Sequence, residues 1–276
     1  MQERAGRPWH VFATYLVAVA GMFANTPLAM EVLHRVYPKV PELTLVRTLP
    51  GLLVGSLAAS SALLLTLRLL VRPLDPVRFR LLPGGETGST LAAAVLGLLA
   101  LGQALDSLTV LLGLDARGSL QLIRRALEGT TGPGLFGAVV VLGLVAGAAE
   151  EIFFRGYMQS RLREHWPPAL AIVATSVSFA ALHADVTAVH MVVALVLGLY
   201  LGFVAEATGS TLPCIVCHVV NNVLYTLQTA LGFNIVGRDA NLVAVVAGGA
   251  VFVACALWVR HTAMALPPAE EPPGED

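Results

Sequence analysis

Charged residues are scarce in this chain: Asp, Glu, Lys and Arg make up 13% of its 276 residues, against about 25% in soluble domains. The net charge of −1 argues against the basic surface that binds nucleic acid. No glycine-rich phosphate loop of Walker or Rossmann spacing is present. Cysteine is also rare, and three cysteines are an odd number that argues against a disulfide framework. We therefore expect no nucleic-acid partner and no disulfide scaffold.

Apolar residues, in contrast, make up 56% of the chain, and the mean hydropathy is +0.76. Several apolar runs have the length of about 17 to 25 residues that a transmembrane helix needs. The predicted spans are residues 11–30, 49–71, 89–112, 135–157, 168–183, 187–205, 212–231 and 241–259. The fifth is short and is either a span or a re-entrant segment. The sequence predicts an all-α polytopic transmembrane helix bundle of about eight spanning helices in a lipid bilayer.

Arginines near the predicted span ends indicate an orientation. The loop after the second span carries Arg68, Arg72, Arg78 and Arg80, and positive loops tend to face the cytoplasm. We expect an integral protein of the plasma (inner) membrane with a cytoplasmic N-terminus. The acidic, proline-rich tail 266–276 is predicted to be disordered.

The first apolar run has a second interpretation. Arg4 and Arg7 precede it, and Ala18-Val19-Ala20 resembles a signal-peptide cleavage site. The run continues past this triplet to Met30, which is longer than a usual signal core. An anchored helix therefore explains the segment better.

Two adjacent glutamates, Glu150 and Glu151, close the apolar run 135–149, and Arg155 follows one turn later. A charged side chain costs about 2.5 to 3.5 kcal/mol at the bilayer centre on insertion scales, so such groups mark a functional site. The i,i+4 spacing lets Glu151 and Arg155 pair on one helix face. Glu150 points about 100° away and has no obvious local partner. It is the candidate base.

Later helices contribute further polar groups at helical spacing. Phe179 and His183 form one i,i+4 pair, and His218 and Asn222 form another, with Asn221 beside it. The two residues of each pair lie on the same face of a helix. Asp185 and His190 also lie nearby, but the ends of spans routinely carry polar residues. We therefore interpret these two as loop or helix-end groups.

The combination is typical of water attacking a carbonyl group. A carboxylate and an imidazole together hold a water and remove its proton, which assigns Glu150 as general base and His183 as its partner on the water. His218 and Asn222 offer N–H donors one turn apart. Such donors stabilise the oxyanion that forms when a peptide carbonyl becomes tetrahedral.

The depths of the site residues raise one difficulty. At a rise of about 1.5 Å per residue from the presumed cytoplasmic ends of the spans, His183 lies deeper in the bilayer than Glu150 and His218. A fifth helix that starts later, tilts strongly or breaks near Asp185 would bring His183 level with the other two.

Three motifs stand in order: Glu150-Glu151-Ile-Phe-Phe-Arg155, Phe179-Ala-Ala-Leu-His183 and His218-Val-Val-Asn221-Asn222. They resemble the EExxxR, FxxxH and HxxxN motifs of the CPBP family of intramembrane proteases, which includes the CAAX prenyl proteases. The resemblance implies an eight-helix bundle in which Glu150 and His183 activate water and His218 with Asn222 forms the oxyanion site. Glu151 with Arg155 would be an accessory pair, and Phe179 is an accessory residue.

The resemblance covers about residues 135–231, so the chain divides into three regions. Residues 1–133 hold the N-terminal transmembrane helices and an interfacial connector, 134–232 the CPBP-like catalytic core, and 233–276 the last span and the acidic tail. Within the connector, 117–127 is amphipathic and is predicted to lie at the membrane interface. Its Leu120, Ile123 and Leu127 share one face.

These observations predict an intramembrane endopeptidase that hydrolyses a peptide bond of a membrane-anchored or lipidated substrate near its C-terminus. We expect no cofactor. A zinc-dependent version, with Glu150, His183 and His218 as ligands, is an alternative, although the H-x-x-x-H pair of zincins is absent. A proton-coupled transporter and a non-catalytic immunity or binding protein are further alternatives. The sequence leaves the oligomeric state open.

Overall fold

The computed structural model describes residues 8–264, and the regular secondary structure within that range is helical. The predicted disordered tail 266–276 lies outside the described residues. The helices are α1 (Pro8–Val36), α2 (Glu42–Leu45), α3 (Leu49–Leu70), α4 (Gly88–Leu111), α5 (Gly118–Leu127), α6 (Gly132–Arg163), α7 (Pro168–Ala181), α8 (Val189–Thr208), α9 (Leu212–Ala230) and α10 (Arg238–Met264). The all-α prediction is confirmed.

Each of the eight predicted spans corresponds to one of these helices. Six of them, α1, α3, α4, α6, α8 and α10, are long and apolar enough to cross a membrane. The helix α7 has 14 residues and reaches about 21 Å, less than the roughly 30 Å of a hydrocarbon core. The helix α9 has 19 residues but carries His218, Asn221 and Asn222. The chain is therefore an integral membrane protein, with two less typical helices in its second half.

Local sequence signals explain where the helices begin. Thr48 and Thr87 cap α3 and α4, because their side chains accept the backbone N–H of Gly51 and Thr90. Such a cap satisfies a donor that the first helical turn leaves free. Prolines occupy the first turns of α3, α7 and α9, where the missing N–H costs no hydrogen bond.

A non-helical loop, residues 182–188, separates α7 from α8. Ala188 adopts the left-handed conformation, with φ of 56°, immediately before α8 begins. The predicted span 168–183 therefore ends as a helix at Ala181, and His183 lies in the turn that follows. This break near Asp185 is one of the arrangements expected to bring His183 to the site.

The long helices pack as pairs around a centre. α1 packs against α3, and α4 packs against α10, while α6, α8 and α9 contact one another and α7 packs on α8. Close approach of α6 to α9 depends on Gly143 and Gly147. A Cβ at Gly147 would lie 3.3 Å from the backbone nitrogen of Val219. Small residues at such spacing let membrane helices meet backbone to backbone.

The amphipathic segment forms α5, which lies between α4 and α6 in the chain and contacts α3, α8 and α9. Its predicted apolar face, Leu120, Ile123 and Leu127, turns towards an internal cavity. Arg124 on the same helix donates to Asp106 of α4 across 2.6 Å. The segment is thus held to the bundle and forms one wall of the cavity.

Candidate active site

The glutamate pair lies in a short α-helical segment, Gly147–Glu151, between two π-helical segments of α6, Val139–Ala146 and Ile152–Gln159. π-helical turns are rare and occur frequently at functional sites. The side chain of Glu151 is fully buried, whereas that of Glu150 is 20% exposed. Glu150 lines the internal cavity, so the two carboxylates have different environments.

Glu151 and Arg155 form the expected i,i+4 ion pair, with Nη1 donating to Oε1 across 2.7 Å and both side chains fully buried. Arg155 also donates through Nη2 to the carbonyl oxygen of Gly198. Its guanidinium carbon lies 5.0 Å from the centroid of the Phe179 ring. The pair is therefore enclosed by protein, and its hydrogen bonds offset part of the cost of burying two charges.

One turn further along α6, Gln159 repeats the contact with α8. Its Nε2 donates to the carbonyl oxygen of Gly202 across 2.9 Å, as Arg155 donates to Gly198. A Cβ at Gly198 or Gly202 would crowd these polar side chains. The two glycines thus let α6 and α8 share two side-chain hydrogen bonds at the same four-residue spacing.

His218 of α9 contacts both glutamates. Its Nδ1 donates to Oε1 of Glu151 across 2.7 Å, because an ionised carboxylate can only accept. Its Nε2 lies 3.7 Å from Oε2 of Glu150. Glu150 therefore has a partner that the local spacing did not reveal, and the imidazole nearest to it is that of His218.

His183 is held by the FxxxH motif itself. Its Nδ1 donates to the carbonyl oxygen of Phe179 across 3.1 Å, since a carbonyl can only accept. The Phe179 and His183 ring centroids are 4.8 Å apart. The other ring nitrogen of His183, Nε2, then carries a lone pair, so it can accept a hydrogen bond from water.

Asn222 contributes an amide group one turn beyond His218. Its Nδ2 donates to the carbonyl oxygen of Leu142 in α6 across 3.1 Å, and its Oδ1 accepts from Asn221. An asparagine amide has two N–H donors. The bond to Leu142 orients the group and uses one of them.

The four predicted catalytic residues, Glu150, His183, His218 and Asn222, line one cavity of about 600 Å³, together with Phe179. They come from α6, from the turn after α7 and from α9. Glu151 and Arg155 do not line this cavity, but Glu151 contacts His218 and Arg155 contacts Phe179. Much of the remaining lining is apolar: Met22, Met30, Leu63, Leu98, Leu197 and Leu201.

The same cavity contains a group that the sequence assigned to a helix end. His190, in the first turn of α8, lines the cavity and lies with its ring centroid 4.6 Å from that of His183. The loop 182–188 sets the position and direction in which α8 begins, and this brings the two rings together. No sequence spacing signals this contact.

Asp185 is a loop residue, as predicted, but it accepts four hydrogen bonds. Ser119 donates its backbone N–H and its hydroxyl to Oδ2, and Thr187 donates the same two groups to Oδ1. Burial raises the pKa of the Asp185 carboxyl, but these hydrogen bonds together lower that pKa well below its usual value. The carboxylate therefore stays ionised and joins α5 to the α7–α8 loop.

A catalytic zinc site needs three protein ligands that lie close together. Among residues 8–264, no three His, Cys, Asp or Glu side chains are grouped so that they could hold a metal ion. Nδ1 of His218 and Nδ1 of His183 are hydrogen-bonded to other groups, so each ring has only Nε2 to offer a metal ion.

Residues 132–224 match the family model described as type II CAAX prenyl endopeptidase Rce1-like. The matched segment, about a third of the chain, begins at the start of α6 and ends within α9, so it contains the three motifs. The match confirms the family resemblance read from those motifs. No curated protein and no solved structure matches the chain.

Proposed function

We propose that the chain is an intramembrane endopeptidase that cuts a membrane-anchored or lipidated peptide near its C-terminus, because residues 132–224 match the family model described as type II CAAX prenyl endopeptidase Rce1-like. One observation supports this most strongly. Glu150, His183, His218 and Asn222 are far apart in the sequence, yet they line one cavity with a carboxylate, two imidazoles and an amide directed into it. These groups can fill the roles of general base and oxyanion donor that hydrolysis of an amide uses.

In the first step, a water molecule lies between the Glu150 carboxylate and Nε2 of His183. Nδ1 of His183 donates to Phe179, so Nε2 is the atom that accepts a hydrogen bond from the water. Glu150 takes the other proton as the water oxygen attacks the carbonyl carbon of the substrate. General base catalysis of this kind contributes about 10² to 10⁴ in rate.

The oxyanion that forms is stabilised by the donors of α9. When Nε2 of His218 carries a hydrogen, it donates to the oxyanion. Because Nδ1 carries a hydrogen as well, the ring is then an imidazolium, and its counter-ion is Glu151. The second N–H of Asn222 is the other donor. When the tetrahedral intermediate collapses, the C–N bond breaks and protonated Glu150 returns its proton to the leaving amine.

The lining of the cavity supports a substrate that carries lipid. Apolar side chains from α1, α3, α4 and α8 form most of the wall beyond the polar groups. A cavity of about 600 Å³ is within the range that holds a ligand of drug size, about 300 to 1,000 Å³. Because lipid tails are about as apolar as leucine side chains, a hydrocarbon chain can move from the bilayer to such a wall at little cost.

The experiment uses the full chain in liposomes and a fluorogenic peptide that ends in a farnesylated Cys-aliphatic-aliphatic-X sequence. The unprenylated peptide is run in parallel. We expect Glu150→Gln to lower kcat by about 10² to 10⁴. The control is Glu128→Gln, which changes an exposed glutamate at the end of α5 and should leave kcat unchanged. The proposal fails if Glu150→Gln cleaves at the wild-type rate, or if neither peptide is cleaved by the wild-type protein.

A further inference from the structure

The imidazole of His183 contacts two other rings. The centroid of the Phe179 ring lies 4.8 Å away, and that of the His190 ring lies 4.6 Å away at an interplanar angle of 69°. The hydrogen bond from Nδ1 of His183 to Phe179 fixes one atom of the ring. Contact with the two neighbouring rings restricts rotation about that bond.

His190 is itself held by a hydrogen-bond chain from outside the three motifs. Its Nδ1 lies 3.0 Å from Oγ of Ser119, and Ser119 donates its hydroxyl to Oδ2 of Asp185 across 2.7 Å. A hydroxyl has one hydrogen to donate. Ser119 must therefore accept from His190, and Nδ1 of His190 must carry a hydrogen.

These hydrogen bonds join three parts of the fold. Ser119 lies in the first turn of α5, Asp185 in the loop after α7, and His190 in the first turn of α8. Asp185 is fixed in turn by the backbone N–H and hydroxyl of Thr187. His190 thus has a defined tautomer and a defined ring orientation, both set by its hydrogen bond to Ser119, 71 residues earlier in the sequence.

We propose that His190 is a positioning residue: held by Ser119 and Asp185, it keeps the His183 ring oriented so that Nε2 of His183 faces the cavity. This inference rests on the proposed function, in which that Nε2 holds the attacking water. His190 acts through His183 and does not touch the reacting atoms. A displacement of about 1 Å in such a group costs up to about 10² in rate.

The first test needs no substrate. The full chain, labelled with ¹⁵N in the histidine rings, is reconstituted in lipid bilayers for solid-state NMR, and the signals of His183 and His190 are assigned by single His→Gln variants. We expect both rings to carry hydrogen on Nδ1. Ser119→Ala should convert His190 to a mixture of tautomers and broaden the His183 signals. The control, Ser89→Ala, changes an exposed serine of α4 and should alter neither.

The second test measures kcat and KM on the farnesylated peptide. His190→Ala should lower kcat by about 10- to 100-fold and change KM less than about twofold. His190→Phe keeps a ring beside His183, so its kcat should lie between those of His190→Ala and the wild type. Ser119→Ala should lower kcat in the same direction.

The two tests separate the possible failures. His183 signals that do not change in Ser119→Ala and His190→Ala would overturn the positioning role, whatever the activity. A rise in KM with kcat unchanged would also overturn it, because it would make His190 a binding surface. A wild-type protein that cleaves nothing would defeat the proposed function, while the NMR result would still decide whether His190 orients His183.

Discussion

His218 donates through Nδ1 to Oε1 of Glu151 across 2.7 Å, although 67 residues separate them. The same ring approaches Glu150 through Nε2. A single imidazole therefore links the buried carboxylate, which faces Arg155, to the carboxylate that faces the cavity. In the proposed mechanism the adjacent glutamates would have distinct tasks: Glu151 would hold His218 in place, and Glu150 would be the base.

The buried pair should be needed for stability. Arg155→Met removes the guanidinium that donates to the Glu151 carboxylate in a fully buried site, so we expect the free energy of unfolding to fall by about 3 to 5 kcal/mol. Thermal unfolding of the detergent-solubilised protein, followed by circular dichroism, measures the change. The matched control is Arg35→Met, which removes an i,i+4 pair with Glu31 whose side chains are 76% and 48% exposed. That loss should be below about 1 kcal/mol, and equal losses in the two variants would contradict the prediction.

The oxyanion role of Asn222 predicts a loss confined to kcat. Asn222→Ala should lower kcat on the farnesylated peptide by about 10² to 10³, because one donor to the developing charge is removed. Asn221→Ala, the neighbouring change on α9, should lower kcat less than about tenfold. Steady-state kinetics of both variants provide the comparison. If Asn221→Ala proved the more damaging of the two, the assignment of donors would be wrong.

The contact between α6 and α9 can be tested by a compensating pair. A Cβ at Gly143 would lie 2.6 Å from Cγ2 of Val223, so Gly143→Ala should push α9 away and lower both Tm and kcat. Overpacking of this kind typically costs about 1 to 3 kcal/mol. Adding Val223→Ala removes the obstructing methyl group and should restore most of the loss. Gly249→Ala on α10, where nothing lies within 4 Å, is the control, and a double variant no better than Gly143→Ala would refute the explanation.

Removal of metal should leave activity intact. The proposed chemistry uses the carboxylate of Glu150 as base, and the nearby side chains do not form a three-ligand group. We expect cleavage of the farnesylated peptide to continue after exhaustive dialysis against a chelator. Measured rates before and after treatment decide the point. Loss of activity that only added zinc restores would favour the zinc-dependent alternative.

Much of the fold could be read from local pattern. Apolar run length gave all eight predicted helices, and i,i+4 spacing gave the ion pair of Glu151 and Arg155, because both depend on neighbours within one helix. The helix ends were less accurate. The predicted fifth span included His183, whereas the helix ends at Ala181 and the residue lies in a turn.

Contacts between helices could not be predicted from local sequence pattern. The contact of His218 with Glu151 depends on how closely α9 packs on Gly147, which is a property of two helices. The position of His190 depends on the left-handed backbone of Ala188 and on Ser119, 71 residues earlier. A spacing rule for a single helix carries no information about such contacts, so the sequence predicts the helix-end position of His190 but not its contact with His183.

The two hydrogen bonds from α6 to the carbonyl oxygens of Gly198 and Gly202 limit which motions are available to the protein. Sliding α6 along α8 would break both bonds at once, because the two donors and the two carbonyl oxygens have the same four-residue spacing. We therefore expect α6 and α8 to move as one body when a substrate enters the cavity.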